Sequence, residues 1–266
     1  MIGKIQSGKF GALALSLLLL AGCAGSGGHD PRDPFENFNR SMFTFNDAVD
    51  RAALKPVATV YRDATPSFVQ TGIGNFFGNI GDVWSTVNSF LQGKLERGVT
   101  GVMRVAVNTV LGLGGVLDIS SEAGLTRHQS DFGQTLGTWG VQSGPYMVLP
   151  LLGSSTVRDT AGLPLDIYGN LWTYKTPVLW RNVGAGVRVI DKRASLLDAS
   201  ELIDNAALDR YQFVRDAYLQ RRAGQISDQD SDWSDPVGGS EPAADPVVPM
   251  EPALPAAVQP ESTGNK

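Results

Sequence analysis

Apolar residues recur along most of the chain at intervals of three and four, the spacing that places them on one side of a helix. Pro34 after Asp33 is a natural helix start, and the segment to about Arg51 carries Phe35, Phe38, Met42, Phe45 and Val49 along one side. Pro56 opens a shorter helix with Val57, Val60 and Tyr61. Pro66 opens another, in which Phe68, Val69, Gly72, Ile73, Phe76, Phe77 and Ile80 form one stripe. A further helix is predicted over Leu95 to Val110, with Leu95, Val99, Val102, Met103 and Ala106 facing together. The last two run from about Val187 to Leu208 and from Asp209 to Arg222. Between Gly112 and Asn170 glycine and proline are too frequent for long helices, which predicts turns, short helices and room for a hairpin. The pattern is that of a mainly α body, and its length, roughly 190 residues, suits one domain.

Charge changes that picture. Between Ala64 and Gly93 the one charged residue is Asp82, and from Phe132 to Val157 there is none, although 18% of the chain is charged. The polar positions of the first segment are Gln70, Thr71, Asn75, Asn79, Ser85, Thr86 and Asn88 instead of lysine and glutamate. Such segments suit a membrane interface or a buried contact. Arg188 to Arg222 holds 13 charges in 35 residues, the density of helices bathed in water. The expected orientation has the uncharged N-terminal helices and middle segment toward lipid, and the charged C-terminal helices toward an aqueous compartment.

The termini are of other kinds. Lys4 and Lys9 precede an apolar run from Phe10 to Leu20, which is a secretory signal and about half the roughly 20 residues of a spanning helix. Leu20-Ala21-Gly22-Cys23 reads as a lipobox, with residues 1–22 removed and an N-acyl diglyceride carried covalently on Cys23. Cys23 is the chain's single cysteine, so no disulfide is available and the thiol serves an anchor. Several acyl chains, at about 0.8 kcal/mol per buried methylene, make such an anchor effectively permanent. Ala24 follows, where aspartate signals inner-membrane retention in enteric bacteria, so the expected address is the outer membrane on its periplasmic side. Residues 23–32 form a lipidated Gly/Ser-rich tether, 33–225 the body, and 226–266 a Pro/Ala-rich acidic tail whose composition predicts disorder. The tail holds eight acids and Lys266; without it and the two signal lysines, nineteen acids balance nineteen bases. A neutral body argues against nucleic acid as a partner.

Little supports catalysis. His29 and His128 are the two histidines, the first in the tether and the second in the polar stretch Thr126-Arg127-His128-Gln129, where it reads as a solvated loop residue. No Gly-x-Ser-x-Gly, His-Glu-x-x-His or cysteine pair occurs, and Gly112-Leu113-Gly114-Gly115 lacks dinucleotide spacing. Asp47 and Asp50 read as a solvated helix face. The expectation is a protein without enzyme activity, metal or cofactor.

The string Asp33-Pro34-Phe35-Glu36-Asn37-Phe38-Asn39-Arg40 resembles the opening motif of the MlaA/VacJ lipoproteins, with Asn37 where many members have glycine. The likeness continues through Tyr61-Arg62-Asp63, Asn75-Phe76-Phe77-Gly78-Asn79 and Leu91-Gln92-Gly93. It is densest across Asp131-Phe132-Gly133-Gln134-Thr135-Leu136-Gly137 and Gly144-Pro145-Tyr146, and ends at Tyr218 and Gln220-Arg221-Arg222. The tail lies outside it. The resemblance implies a ring-shaped bundle of amphipathic helices in the inner leaflet of the outer membrane, with a central channel. It also implies removal of phospholipid strayed into the outer leaflet, a soluble periplasmic carrier (MlaC) and trimeric porins as partners. A lipid path is expected between the Phe35–Val49 helix and the segment from Phe132 to Asn170, with Phe38, Met42, Phe45, Asn46, Phe132, Gly137, Gly140, Gly144 and Pro145 as its candidate residues. Two other readings stay open: a structural adaptor that tethers porins or envelope components without moving lipid, and a lipid hydrolase.

Overall fold

The structure, a computed structural model, describes residues 30–227; Cys23, the tether before Asp30, the signal segment and the tail beyond Ser227 lie outside the described residues. Helix α1 (Glu36–Val49) runs through a π-helical turn (Asp50–Leu54) into α2 (Lys55–Ala64). The two predicted helices are therefore continuous. Pro56 has no N–H to donate, and the wider turn before it absorbs the break that the sequence reading placed there. Thr65-Pro66 then stops the chain, and α3 (Ser67–Leu91) follows for 25 residues, well past the stripe that ends at Ile80. Helix α4 (Leu95–Val110) lies antiparallel along it after Gly93, whose φ of 75° makes the tight reversal a glycine position.

The middle segment holds α5 (Ile119–Glu122), α6 (Phe132–Thr138), a hairpin of β1 (Tyr146–Leu149) and β2 (Gly153–Thr156), and α7 (Val157–Gly169). Asp118 and Asp131 cap α5 and α6 by accepting from Ser121 N and Gln134 N. The hairpin is antiparallel with Tyr146 opposite Thr156 and Leu149 opposite Gly153. Contrary to the breaker rule, α7 continues through Pro164, and the Thr156 side chain caps its start. A 3-10 turn (Leu171–Tyr174) leads to α8 (Val178–Ser195), α9 (Leu197–Ala206) and α10 (Arg210–Ser227). The predicted helix from Val187 to Leu208 is thus two helices: it begins at Pro177, a favoured entry, and breaks at Leu196.

Neighbouring elements pack in a closed cycle. From α1 and α2 the contacts pass to α8, α3, α6, α10, the hairpin and back to α1. Two small apolar clusters sit on this cycle. Ala58, Ala194 and Leu197 with Tyr61 join α2 to α8 and α9; Tyr146, Val148 and Tyr211 with Met42, Phe43, Tyr218 and Leu219 join the hairpin to α1 and α10.

Burial is inverted elsewhere. Among the described residues seven apolar side chains are buried against twenty polar or charged ones, while 36 large apolar side chains are exposed. In α4 the predicted stripe exists, but Leu95, Val99, Val102 and Met103 point outward, and Arg104 and Asn108 are buried. In α3 the buried positions include Asn79, Asp82, Ser85, Thr86, Asn88 and Ser89, whereas Phe68, Val87 and Phe90 are exposed. A helix pair in water buries its stripe, so this pair is built for surroundings that are themselves apolar. No helix among the described residues is long and apolar enough to cross a membrane.

Candidate functional site

The polar interior of α3 and α4 is built from charges that the sequence isolates. Asp82 accepts from Arg127 Nε at 2.9 Å and lies 4.0 Å from Arg104 Nε. Burial raises its pKa despite Arg127 and Arg104. Arg104, 2% exposed, binds Asp118 through Nη2 at 2.9 and 3.0 Å and donates to Ser121 Oγ and the Leu125 carbonyl. Asn108 donates to Asp118 at 2.9 Å and accepts from Ser120 N, so the chain between Asp118 and Leu125 is strapped onto α4. Burial alone would raise Asp118, but Ser121, Asn108 and Arg104 outweigh it and hold it at about 2. His128 is half-buried beside this network, its carbonyl accepting from Ser85 Oγ at 2.7 Å, which corrects the solvated-loop reading. Desolvation, and then Arg97, lower its pKa.

An open groove of about 460 Å³ runs beside the start of α3. Ser67, Phe68, Thr71, Gly72 and Asn75 line one side, Val116 to Ile119 with Glu122 the other. Its walls mix apolar and polar groups, as an amphiphile requires.

A second network closes the cycle where the two ends of the body meet. Asp33, fully buried, accepts from Asn39 Nδ2 at 2.7 Å, from the Tyr211 hydroxyl and from Arg215 Nη1 at 3.4 Å. Burial and then Asp33 raise the Tyr211 pKa, so the phenol stays a donor. Asn39 also donates to the Tyr146 carbonyl at 3.0 Å and accepts from Val148 N at 2.9 Å, which fixes β1 to α1. Asp159 accepts from the Tyr218 hydroxyl at 2.7 Å and Arg222 Nε at 2.9 Å, and Arg222 binds Asp131 at 2.6 and 2.7 Å. Burial pushes Asp159 up, but Arg222 foremost brings it down to about 2. Asp47 and Asp50 belong to this closure rather than to a solvated face: they pair with Arg210 and Arg193 of the C-terminal helices. Much of the C-terminal charge likewise faces protein.

The structure brings α1 and the hairpin together. Asn46 holds the hairpin tip, donating to the Leu149 carbonyl at 2.9 Å and accepting from Leu151 N at 2.7 Å. Met42 packs on the Tyr146 and Tyr211 cluster, while Phe38 and Phe45 are exposed. Phe132 stacks edge-on with Trp139 at 5.9 Å. Gly137 is a packing glycine, since a Cβ there would lie 2.8 Å from Ile226 and 2.9 Å from Arg158. Gly140 sits in the open with φ 93°, and Gly144 and Pro145 meet the start of α7 through Val157. Sequence reasoning gave no role to the Arg104 and Arg222 networks. Its one signal was Asp82, a lone charge in a long uncharged stretch, which burial obliges to have a partner. Among the described residues no group of His, Cys, Asp and Glu could hold a metal ion.

Comparison with known proteins gives matches over nearly all of the described body. The family described as MlaA lipoprotein matches residues 31–225. The intermembrane phospholipid transport system lipoprotein MlaA of Shigella flexneri is 39% identical over 221 residues, covering 80% of this chain and 86% of that protein. The protein of the same description from Haemophilus influenzae is 32% identical over 228 residues, covering 80% and 88%. A solved structure described as the structural basis for maintenance of bacterial outer membrane lipid asymmetry superposes with a TM-score of 0.64. It is 40% identical, covering 73% of this chain and 98% of that one.

Proposed function

The chain belongs to the MlaA lipoprotein family, and from that premise we propose that it removes mislocalised phospholipid from the outer leaflet of the outer membrane and passes it to a periplasmic carrier. It works as a lipoprotein held on Cys23 at the periplasmic side, with trimeric porins as neighbours and MlaC as the carrier. The observation that carries this reading is the inverted burial: polar groups inside, and an exposed apolar stripe along α4. Moving Leu95, Val99, Val102, Met103 and Val110 from water into hydrocarbon is favourable by about 1 kcal/mol each at their exposure. Polar inner walls lower the several-kcal/mol cost of taking a charged headgroup past hydrocarbon, so the passage needs no covalent chemistry and no cofactor. We place the lipid path between α1, at Phe38 and Phe45, and the segment of Phe132 to Asn170, with the amphipathic groove beside Phe68 and Thr71 as a further stretch of wall.

Mass spectrometry of lipids that co-purify with the membrane-extracted protein tests the reading. Stoichiometric phospholipid, transferable to the carrier, is expected. A lipid-free protein that still holds porin would establish the tethering adaptor instead.

A further inference from the structure

The 3-10 turn and the start of α8, with Tyr168 at the end of α7, form a face that lies almost wholly beyond the segment assigned to the lipid path. Tyr168, Leu171, Tyr174, Leu179 and Trp180 are each more than half exposed there. The face is rigid. The Tyr174 hydroxyl donates to the Tyr168 carbonyl at 2.8 Å, and Trp172 Nε1 donates to the Arg181 carbonyl at 2.9 Å. The Trp172 ring stands edge-on to Phe76 and Phe77, at 6.0 and 5.1 Å between centroids. The charge on this face has one sign. From Ile167 to Val183 the charged residues are Lys175 and Arg181, without an acid, in a body whose acids and bases balance overall. Asp166, the acid just before, points inward and accepts from Trp84 Nε1 and Phe132 N, both at 2.8 Å.

We infer that the face from Tyr168 to Val183 is an interfacial anchor that seats the protein on anionic phospholipid. The inference rests on the membrane reading above and names the element and the lipid charge. Tyrosine and tryptophan combine an apolar ring with a polar tip, which suits headgroup depth, whereas the α4 stripe is aliphatic and suits the hydrocarbon below. Lysine and arginine lay their stems on that apolar surface and hold their charges among lipid phosphates. A protein partner would leave the same face dry but would not require its charge to be of one sign.

The test uses engineered thiols in the full mature chain, where Cys23 is the sole native cysteine and is taken up by acylation in this reading. Tyr174→Cys and Leu179→Cys report on the face, Val102→Cys on the α4 stripe, and Leu208→Cys on the exposed α9–α10 junction. Each is labelled with an environment-sensitive fluorophore and reconstituted in vesicles of phosphatidylethanolamine with phosphatidylglycerol, or of phosphatidylcholine alone. Quenchers are carried at headgroup or mid-chain depth. Labels at 174 and 179 should be quenched from headgroup depth, more strongly with phosphatidylglycerol. Lys175→Glu with Arg181→Glu should remove roughly half of that quenching. The label at 102 should be quenched from mid-chain, and the label at 208 should stay aqueous. Aqueous labels at 174 and 179 with a quenched label at 102 would overturn the anchor while leaving the membrane reading intact. An aqueous label at 102 as well would overturn both. Quenching equal in the two lipids and indifferent to charge reversal would overturn the anionic preference.

Discussion

Asp159 and Leu151 show what single residues contribute. Asp159 is shared by Arg158, Tyr218 and Arg222, and its pKa of about 2 lies below the ordinary carboxylate value. A carboxyl depressed by folding stabilises the fold above its unfolded pKa, near 3.9, and that stability is lost as pH falls toward 2. Melting of the detergent-extracted protein should therefore weaken below about pH 4. Asp159→Asn, which leaves Arg222 and Arg158 short of charge, should cost about 3 kcal/mol and flatten that acid limb. An unchanged limb would assign the acid sensitivity elsewhere. Leu151 is the opposite case, 69% exposed at the hairpin tip with φ 62°, where leucine is strained. Leu151→Asn should raise stability by about 0.5 kcal/mol because asparagine tolerates that backbone. A variant that loses stability would show the leucine is held by packing.

At the scale of elements, α4 separates a membrane helix from a soluble one. In water, Val102→Asp on a stripe would ruin a core and Arg104→Met would trim a surface. Here the order reverses: Val102→Asp should leave the detergent melting temperature nearly unchanged while reducing membrane retention. Arg104→Met, which strands Asp82 and Asp118, should cost about 3 to 5 kcal/mol. Chemical denaturation of both variants decides between the two orders. Sequence periodicity found α4 and its stripe, because spacing alone specifies a face. It did not say which way the face points; the sparse charge over Ala64 to Gly93 was the one hint. The join of α1 to α2 was illegible, since Pro56 reads as a break until a π-turn accommodates it. The early start of α8 was missed, although Pro177 just before Val178 is a favoured helix entry. The anchoring of Asp33 by Tyr211 spans 178 positions and that of β1 by Asn39 spans 107 to 109, separations that periodicity does not show.

At the scale of the molecule, the described body is a cycle that its last helix closes. Helix α10 reaches Ser227, and Ile226 packs near Gly137, two residues beyond the boundary set from composition. Truncation after Ser227 should leave accumulation and melting unchanged, whereas truncation before Arg210 removes the partners of Asp33, Asp131 and Asp159 and should prevent accumulation. Immunoblots of membrane fractions distinguish the two. The motif-bearing body was legible as a family member from residue order alone, and the fold agrees over nearly all of it. The segments proposed to border the lipid path, α1 and the hairpin, were legible because one is aromatic beside a tether and the other carries no charge. The side chains that fix those segments were not.

Phospholipid exposed on the cell surface is the quantity that tests the central claim most directly. It is measured in a strain lacking this chain and in the same strain given the wild-type or the Cys23→Ala protein. The account predicts several-fold more surface phospholipid without the chain, return to the normal level with the wild type, and no return with Cys23→Ala. Equal surface phospholipid in the strain with and without the wild-type chain would contradict it.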